Sequence, residues 1–516
     1  MRFVLICLSL LIVFSCSSAR KNNLFLEKKI QSSELKKDVN FAYKKLQRFH
    51  PHLYWYISKP QLDQKFDSLK QSITEPLTPN QFYFRLSPVI ASINEGHLRL
   101  RALPRQYSKS EQKELKTKKP LFAMMEYKII DNRMFVTQNK QNVANIKPGT
   151  EILKINSENV SNLTDRYRKL FSSDGYNKTF QKYFMNLAFF NFYTLENGYL
   201  DSAKLVTKTD NKISDIIIRR QKKTDQELTK DKVQQKVTTF QKVRDYDLDS
   251  KSYNRSLKFL KSDSSIAYIR IKTFSATLSR AFYSESFAKI KKAGSEYLIL
   301  DIRDNLGGSL SEINTLYSYL SDKKFTLIKV PEMTSKTSGM HQNYFRGQTV
   351  FSSIFTAVGY PFFLAGNYFL SSKKDQRYYF REFASRPTRP KANAFRGKIY
   401  VLVNGASFSA SAILSAKLKY EKRAVIVGEE TGGANDGTVS GVNNTVTLPN
   451  SKLILPIGLF LIRPNIEFEN EGRGVIPDFP VDPDFGNLTS SEDKILKWVL
   501  DDINFRRSVS EKMNNE

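Results

Sequence analysis

The segment that most constrains the fold is residues 397–437, which alternates between strand, turn, helix and strand. An apolar strand, Ile399–Val403, leads into a turn of small residues, Asn404–Ser407, and a short helix and a second strand follow. At such a turn a hydroxyl lies near the unpaired N–H groups and the positive end of a helix, which stabilise developing negative charge. A nucleophilic serine is therefore a candidate here, and it would need a general base and an oxyanion hole from other parts of the chain. The serines at this turn are Ser407, Ser409 and Ser411.

The N-terminus predicts export. An apolar run, Phe3–Phe14, follows Arg2 and is too short for a permanent membrane span, so residues 1–16 are interpreted as a signal peptide. The ending VFSC resembles a bacterial lipobox, with Cys16 as the lipid-modified residue. Cleavage by ordinary signal peptidase without a lipid, or an uncleaved anchor, is the alternative. The expected location is the bacterial cell envelope, lipid-anchored on the periplasmic side of the outer membrane, or the periplasm.

Composition excludes several kinds of site. The only cysteines are Cys7 and Cys16, so the body of the protein has no disulfide, thiol nucleophile or cysteine metal site. With four histidines in the chain, a multi-histidine metal site is not expected, and neither a metal nor a cofactor is predicted. The net charge of +30 suits anionic partners. Because the lysines are spread along the chain and the protein is exported, nucleic acid is not expected as a partner.

Periodicity divides the chain into regions. Residues 31–115 are predicted to form a helical cap, in which Thr78 to Gln81 is a capping box with proline at the first helical position. Strand–helix alternation begins near residue 264, and the unalternating run in Tyr297–Arg303 indicates a strand covered on both faces. The predicted regions are a tether at 17–30, the cap at 31–115, a β domain at 120–222, a polar linker at 223–252, an α/β core at 253–488 and a C-terminal helix at 489–516. Within the core, residues 325–396 are interpreted as an insertion with little regular pattern.

A second candidate element follows the buried strand. Gly307 and Gly308 leave backbone N–H groups free of side-chain cover, as an oxyanion hole requires, although a plain tight turn is the commoner meaning of two glycines. The nearby Asp301 and Arg303 are more often a structural ion pair than catalytic groups.

Five segments, in family order, resemble the tail-specific or C-terminal-processing serine proteases. LILDIRDNLGGS is similar to their DLRxNxGG signature, and NGASFSASAIL followed by RAVIVGEETGG is similar to their nucleophile segment. IKPGTEILKIN resembles part of their PDZ domain, ENEGRGVIPD their EGxGVxPD segment, and INEGHLRL the DGHT segment of the tricorn-like branch. The resemblance implies a multi-domain α/β protein: a crotonase-like core of spiral βαβ units, an N-terminal helical cap and an inserted PDZ-like β domain.

The resemblance also assigns roles. It makes Ser409 the nucleophile, with the N–H of Ala410 as one oxyanion donor and that of Gly307 or Gly308 as the other. Ser407 is then expected to cap the turn and Ser411 to pack in the first helical turn.

The expected base departs from the best-known members, which place a lysine after the nucleophile where this chain has Ala434. The tricorn-like branch uses a histidine, which matches His97, and an imidazole can accept a proton at neutral pH. The glutamate that would orient this imidazole, directly or through a hydroxyl, matches Glu471, with Glu467 and Glu469 left open.

The expected function is a serine endopeptidase acting on envelope or periplasmic proteins or peptides, possibly selected by their C-termini through strand addition. Two alternatives stay open: an inactive binding protein on the same fold, and an envelope scaffold that uses the basic surface.

Overall fold

The computed structural model describes residues 17–140, 143, 146–224, 245–247, 252–260, 264–274, 278–344, 350–467, 471–482 and 492–515. The predicted signal peptide and Cys16 lie outside these residues, as does most of the predicted linker.

The helices are α1 Ser17–Glu27, α2 Ser32–Phe49, α3 Lys59–Ser72, α4 Pro79–Ala91, α5 Lys109–Thr117, α6 Val160–Arg168, α7 Thr179–Asn197, α8 Ser279–Ala293, α9 Leu310–Leu320, α10 Val350–Leu370, α11 Ala410–Tyr420 and α12 Lys494–Asn515. Short 3₁₀ turns occupy Leu121–Met124, Ser338–His341 and Phe383–Ser385. Among the described helices, none has both the length and the apolar character needed to cross a membrane.

The strands are β1 Met125–Ile130, β2 Arg133–Asn139, β3 Glu151–Ile155, β4 Glu158–Asn159, β5 Ser202–Thr209, β6 Lys212–Arg219, β7 Tyr246–Asp247, β8 Ser252–Tyr253, β9 Arg255–Phe259, β10 Ile266–Ile271, β11 Tyr297–Asp301, β12 Glu332–Met333, β13 Ser371–Lys374, β14 Arg377–Phe380, β15 Lys398–Val403, β16 Val425–Gly428, β17 Thr438–Thr447, β18 Ile454–Ile462 and β19 Phe479–Pro480.

The N-terminal helices form as their apolar spacing predicts. The periodic positions of α2 are buried along one face, and the reciprocal capping box of Thr78 and Gln81 starts α4 with Pro79 in its first turn. The expected tether at 17–30 is wrong in one respect: residues 17–27 are helical. The side chain of Asn23 exchanges hydrogen bonds with the backbone of Gln106, at 2.7 and 3.0 Å, which holds α1 against the body.

The region predicted as a β domain is an antiparallel sheet with two helices. Its strand order is β1-β2-β3-β5-β6, and β4 pairs with β3. Helices α6 and α7 lie between β4 and β5 in the chain, and the loop that joins them reaches the candidate site described below.

The α/β core is a six-stranded sheet in the order β19-β16-β15-β11-β10-β9. Its strands are parallel except that β9 runs antiparallel to β10. Alternate residues of β15 point into two separate hydrophobic clusters. Val401 belongs to the larger cluster, and Tyr400 belongs to the smaller one, which also contains Ile495 and Val499 of α12. Helices therefore cover both faces of this sheet, as the apolar run in β11 predicts. The multi-domain α/β class is confirmed.

The insertion at 325–396 is more regular than expected. It contains the 21-residue helix α10 and the hairpin β13–β14, and β12 joins that hairpin to β18 in a second sheet of order β13-β14-β12-β18-β17. The uncharged sequence of α10 lacks the polar face by which a surface helix is normally recognised.

Candidate active site

Ser409 lies at the sharp turn between β15 and α11. Its backbone adopts φ 57° and ψ −119°, a combination that L residues rarely adopt and that concentrates at functional sites. Although Ser409 is the N-cap residue of α11, its side chain makes no capping hydrogen bond. The hydroxyl is therefore held at a helix N-terminus without serving that helix structurally.

The two neighbouring serines have structural partners. The Ser407 hydroxyl donates to the carbonyl of Ile302 at 2.9 Å and accepts from the Asn404 N–H at 3.1 Å. The Ser411 hydroxyl donates to the carbonyl of Asn305 at 2.8 Å. Both side chains are buried, so of the three serines Ser409 is the one left for chemistry.

The glycine turn after β11 lies directly against Ser409. A Cβ atom placed on Gly307 would stand 2.7 Å from the Cβ of Ser409 and 2.9 Å from the amide nitrogen of Ala410. The Gly307 N–H donates to the side chain of Asn305 at 2.9 Å and is therefore already used. For the N–H groups of Gly308 and Ala410, the described residues supply no acceptor. Of the two glycines predicted as oxyanion donors, the geometry thus favours Gly308.

Replacing Gly307 with alanine is expected to destabilise the protein by roughly 1–3 kcal/mol and to lower kcat, because the added methyl collides with backbone at a φ of +100°. Gly294→Ala is the matched control, since Gly294 also has a positive φ (+65°) but open space around its Cβ position. Urea denaturation and peptide hydrolysis measure both effects. Equal changes in the two variants would contradict the close approach.

The ion pair near this turn is structural, as predicted. The buried Asp301 carboxylate accepts hydrogen bonds from Arg303, Arg270 and the Tyr268 hydroxyl. Arg303 also binds Asp493 at 2.7 Å, which ties the strand end to the segment preceding α12.

His97 lies beside the nucleophile turn. Its ring stacks on Phe408, the residue before Ser409, with ring centroids 4.8 Å apart. The ring Nδ1 lies 2.8 Å from the Thr438 hydroxyl and 3.9 Å from Asp174. Burial, and secondarily the charge of Arg99, lowers the pKa of His97 to about 4, although 24% of the side chain remains exposed. The imidazole is therefore neutral at physiological pH, the form that a general base requires.

Asp174 is the site residue that sequence reasoning missed. It lies in the loop between α6 and α7, and its carboxylate accepts the Gly96 N–H at 2.8 Å. The following Gly175 donates its N–H to the carbonyl of Asn94 at 2.8 Å, while the Tyr176 N–H donates to the carbonyl of Gly472 at 2.7 Å. These two hydrogen bonds hold the loop between the segment that carries His97 and the segment that follows Glu471. Complete burial raises the pKa of Asp174 to about 7.

The Thr438 hydroxyl connects Asp174 to the imidazole. Its interaction with Asp174 lowers the pKa of that carboxyl against the effect of burial, and one oxygen of the carboxylate is buried without a hydrogen-bond partner among the described residues. When Asp174 is ionised it can only accept, so the Thr438 proton is directed to the carboxylate and the Thr438 oxygen accepts the Nδ1–H of His97, 2.8 Å away. This assignment leaves Nε2 as the unprotonated ring nitrogen, the one that can take up a proton.

Glu95 is a second buried carboxyl beside the histidine. One of its oxygens accepts the Val439 N–H at 3.2 Å, and the other is buried without a partner among the described residues. Burial and then the charge of Asp174 raise its pKa well above the usual value. Of the described residues, Glu95, His97 and Asp174 are the group whose donor atoms, within 4.8 Å of one another, could hold a metal ion.

Glu471 is not brought to the imidazole. It is exposed, and the described hydrogen-bond and ion-pair partners of the His97 ring are Thr438 and Asp174. Ala434 is buried and pairs with Gly474 in an isolated β-bridge, and its backbone lowers the pKa of Asp174 against the effect of burial.

The chain is similar to known peptidases in part of its sequence and in its fold. The profile of peptidase family S41 matches residues 265–481. The solved structure of mature CPAF shares 15% sequence identity, with 87% of this chain and 92% of that one covered and a TM-score of 0.54. The structure of mature CPAF complexed with lactacystin gives 16% identity, 87% and 94% coverage and a TM-score of 0.55. No curated protein is significantly similar to this chain in sequence. The likeness to CPAF shows a shared fold, and the profile match over residues 265–481, which hold most of the α/β core, supports a serine-type peptidase similar to family S41, the C-terminal-processing serine peptidases.

Proposed function

We propose that the protein is a serine endopeptidase in which Ser409 and His97 carry out the chemistry. The observation that carries the proposal is the stacking of the His97 ring on Phe408, which unites two parts of the chain 311 residues apart (408 − 97) next to Ser409. The Ser409 oxygen attacks a peptide carbonyl as its proton passes to Nε2 of His97. The proton then leaves with the amine product, and water hydrolyses the acyl-enzyme by the same route.

The N–H groups of Ala410 and Gly308 are proposed to stabilise the oxyanion. Gly308 follows Gly307, which lies against the turn around Ser409, and Ala410 follows Ser409 itself; neither N–H has an acceptor in the described part of the chain. Ala410 also begins α11, so the positive end of that helix supports the same negative charge.

Asp174, acting through Thr438, is proposed as the orienting carboxylate in place of Glu471. The support is geometric, since His97 Nδ1 lies 2.8 Å from the Thr438 hydroxyl and 3.9 Å from the buried Asp174 carboxylate. As an ionised group Asp174 would stabilise the imidazolium that forms when His97 accepts the serine proton.

Proteins or peptides of the bacterial envelope are the proposed substrates. The apolar run Phe3–Phe14 and Cys16 support export and a lipid anchor, and α1 begins directly after that cysteine. The antiparallel sheet has β1 and β6 at its edges, where a PDZ-like module could take up a substrate C-terminus by strand addition.

Labelling with a fluorophosphonate probe tests the proposal. The full chain is expected to be labelled and the Ser409→Ala variant is not, while Ser407→Ala and Ser411→Ala keep the label because their hydroxyls serve the backbone. Absence of labelling in folded parent protein would favour the alternative of a binding protein. Among peptide substrates in the same assay, faster cleavage of free than of amidated C-termini would support selection by strand addition, and equal rates would contradict it.

A further inference from the structure

Helix α10 presents an apolar face to solvent. Val358, Phe362 and Phe369 are all strongly exposed, the two phenylalanines by 77% and 78%. Spacings of four and seven residues place them on one side of the helix, and Ala365 lies exposed between them. An ordinary surface helix carries charged residues there, whereas α10 has none.

The opposite face of α10 is packed against the protein. Tyr344 lies 4.4 Å from Phe363 and 5.3 Å from Tyr360, measured between ring centroids. Asn367 is buried, and its side-chain oxygen would lie 2.5 Å from a Cβ placed on Gly339. These contacts fix the rotation of α10 about its own axis, so the fold determines that the apolar face points outward.

Basic residues lie next to the C-terminal end of this face. Lys336 places its ammonium 3.6 Å from the ring centroid of Tyr368, and the backbone N–H of Arg381 donates to the carbonyl of Leu370, the last residue of α10. The segment from residue 371 to residue 381 adds Lys373, Lys374 and Arg377 to Arg381, with Asp375 as its one acidic residue. Arg377 lies 3.4 Å from Glu332, so part of this charge is compensated.

We propose that the outer face of α10 is a docking surface for an anionic lipid bilayer. Phe362 and Phe369 would enter the boundary between headgroups and acyl chains, with the helix parallel to the membrane. Lys336, Lys373 and Arg381 would contact lipid phosphates. The charge pattern favours this occupant over a second copy of the chain, because the patch and the whole chain are both basic and two copies would repel. This inference does not rest on the peptidase activity.

A fluorescent probe at position 362 tests the docking. The full chain with Cys7→Ser and Cys16→Ser has no other cysteine, so Phe362→Cys can be labelled selectively with NBD. On addition of vesicles of phosphatidylglycerol and phosphatidylcholine, we expect NBD emission to rise several-fold, shift to the blue and be quenched by spin-labelled acyl chains. The same label at Ile213, which is 62% exposed on β6, is the control and should change little.

Sedimentation with the same vesicles gives a second readout. Phe362→Asp with Phe369→Asp is expected to weaken binding at least tenfold, whereas Ile213→Asp with Ile217→Asp, at positions 62% and 61% exposed, leaves it unchanged. Equal effects of both pairs, or equal binding to pure phosphatidylcholine, would overturn the proposal. So would a lipid-independent NBD change that follows protein concentration together with a dimer mass in light scattering, because the occupant would then be a second copy.

Discussion

Replacing His97 with glutamine is expected to lower kcat for peptide hydrolysis by about 10²–10⁴-fold while KM changes little, since the contribution of a general base is lost. Glutamine can still hydrogen-bond to Thr438, so the local structure is retained. The imidazole is already neutral above its pKa of about 4, and no pH between 5 and 9 should restore the activity of the variant. Steady-state kinetics across that range measures the effect.

His52→Gln is the matched control for this substitution. His52 is also partly exposed, but its ring lies 3.5 Å from Glu332 and packs at a tilt against Trp55, with ring centroids 5.7 Å apart. Its replacement should leave kcat within about twofold of the parent. If His97→Gln retained more than a third of the parental kcat with unchanged thermal stability, the imidazole would not be the base.

Much of the fold could be read from local patterns. The apolar spacing of α2, the capping box at Thr78 and the unalternating run in β11 each reflect a force acting within a few residues, and each gave the correct element. Helix α10 could not be recognised this way, since its packed face is aromatic and its outer face is also apolar. The periodicity that normally reveals a surface helix is absent there.

The candidate site likewise contains residues that local sequence patterns predict and one residue that they do not. Ser409 and the glycine turn are carried by short motifs, so residue types and order were enough to find them. Asp174 comes from a different region, and its role depends on burial, on its hydrogen bond from Gly96, 78 positions away, and on that of the nearby Tyr176 to Gly472, 296 positions away (472 − 176). The one local signal was a cluster of small polar residues, Ser172 to Asn177, ahead of the aromatic helix α7.

Replacing Asp174 with asparagine is expected to produce a pH-dependent loss of activity. Because its pKa is raised to about 7, the parental carboxyl is largely protonated at pH 5.5 and ionised at pH 8.5. Parent kcat/KM should therefore rise through about pH 7, and the variant should lack this rise. The parent should exceed the variant by roughly 10²–10³-fold at pH 8.5 and by only about 3–30-fold at pH 5.5, where about 3% of the carboxyl is ionised. A ratio that did not vary with pH would contradict the orienting role.

The same substitution should stabilise the fold at high pH. A carboxyl with a pKa near 4 when unfolded and about 7 when folded favours folding fully below pH 4, and this contribution is lost as pH rises to 7. Asparagine does not titrate, so the variant has no corresponding loss of stability over that pH range. The free energy of unfolding of Asp174→Asn, relative to the parent, should thus increase between pH 4 and pH 8 by on the order of 4 kcal/mol.

Asp436→Asn separates stability from catalysis. Burial raises the pKa of Asp436 to about 6, and its carboxylate binds the Gly472 N–H and the Tyr56 hydroxyl rather than the imidazole. This variant should show a smaller gain in stability over the same pH range, because the pKa is raised less. Its kcat/KM at pH 8.5 should stay within tenfold of the parent, since the hydrogen bonds linking Asp174, Thr438 and His97 remain. Urea denaturation at several pH values is to be paired with kinetics on the same samples. Together they distinguish a buried carboxyl that affects only stability from one that also orients the imidazole for catalysis.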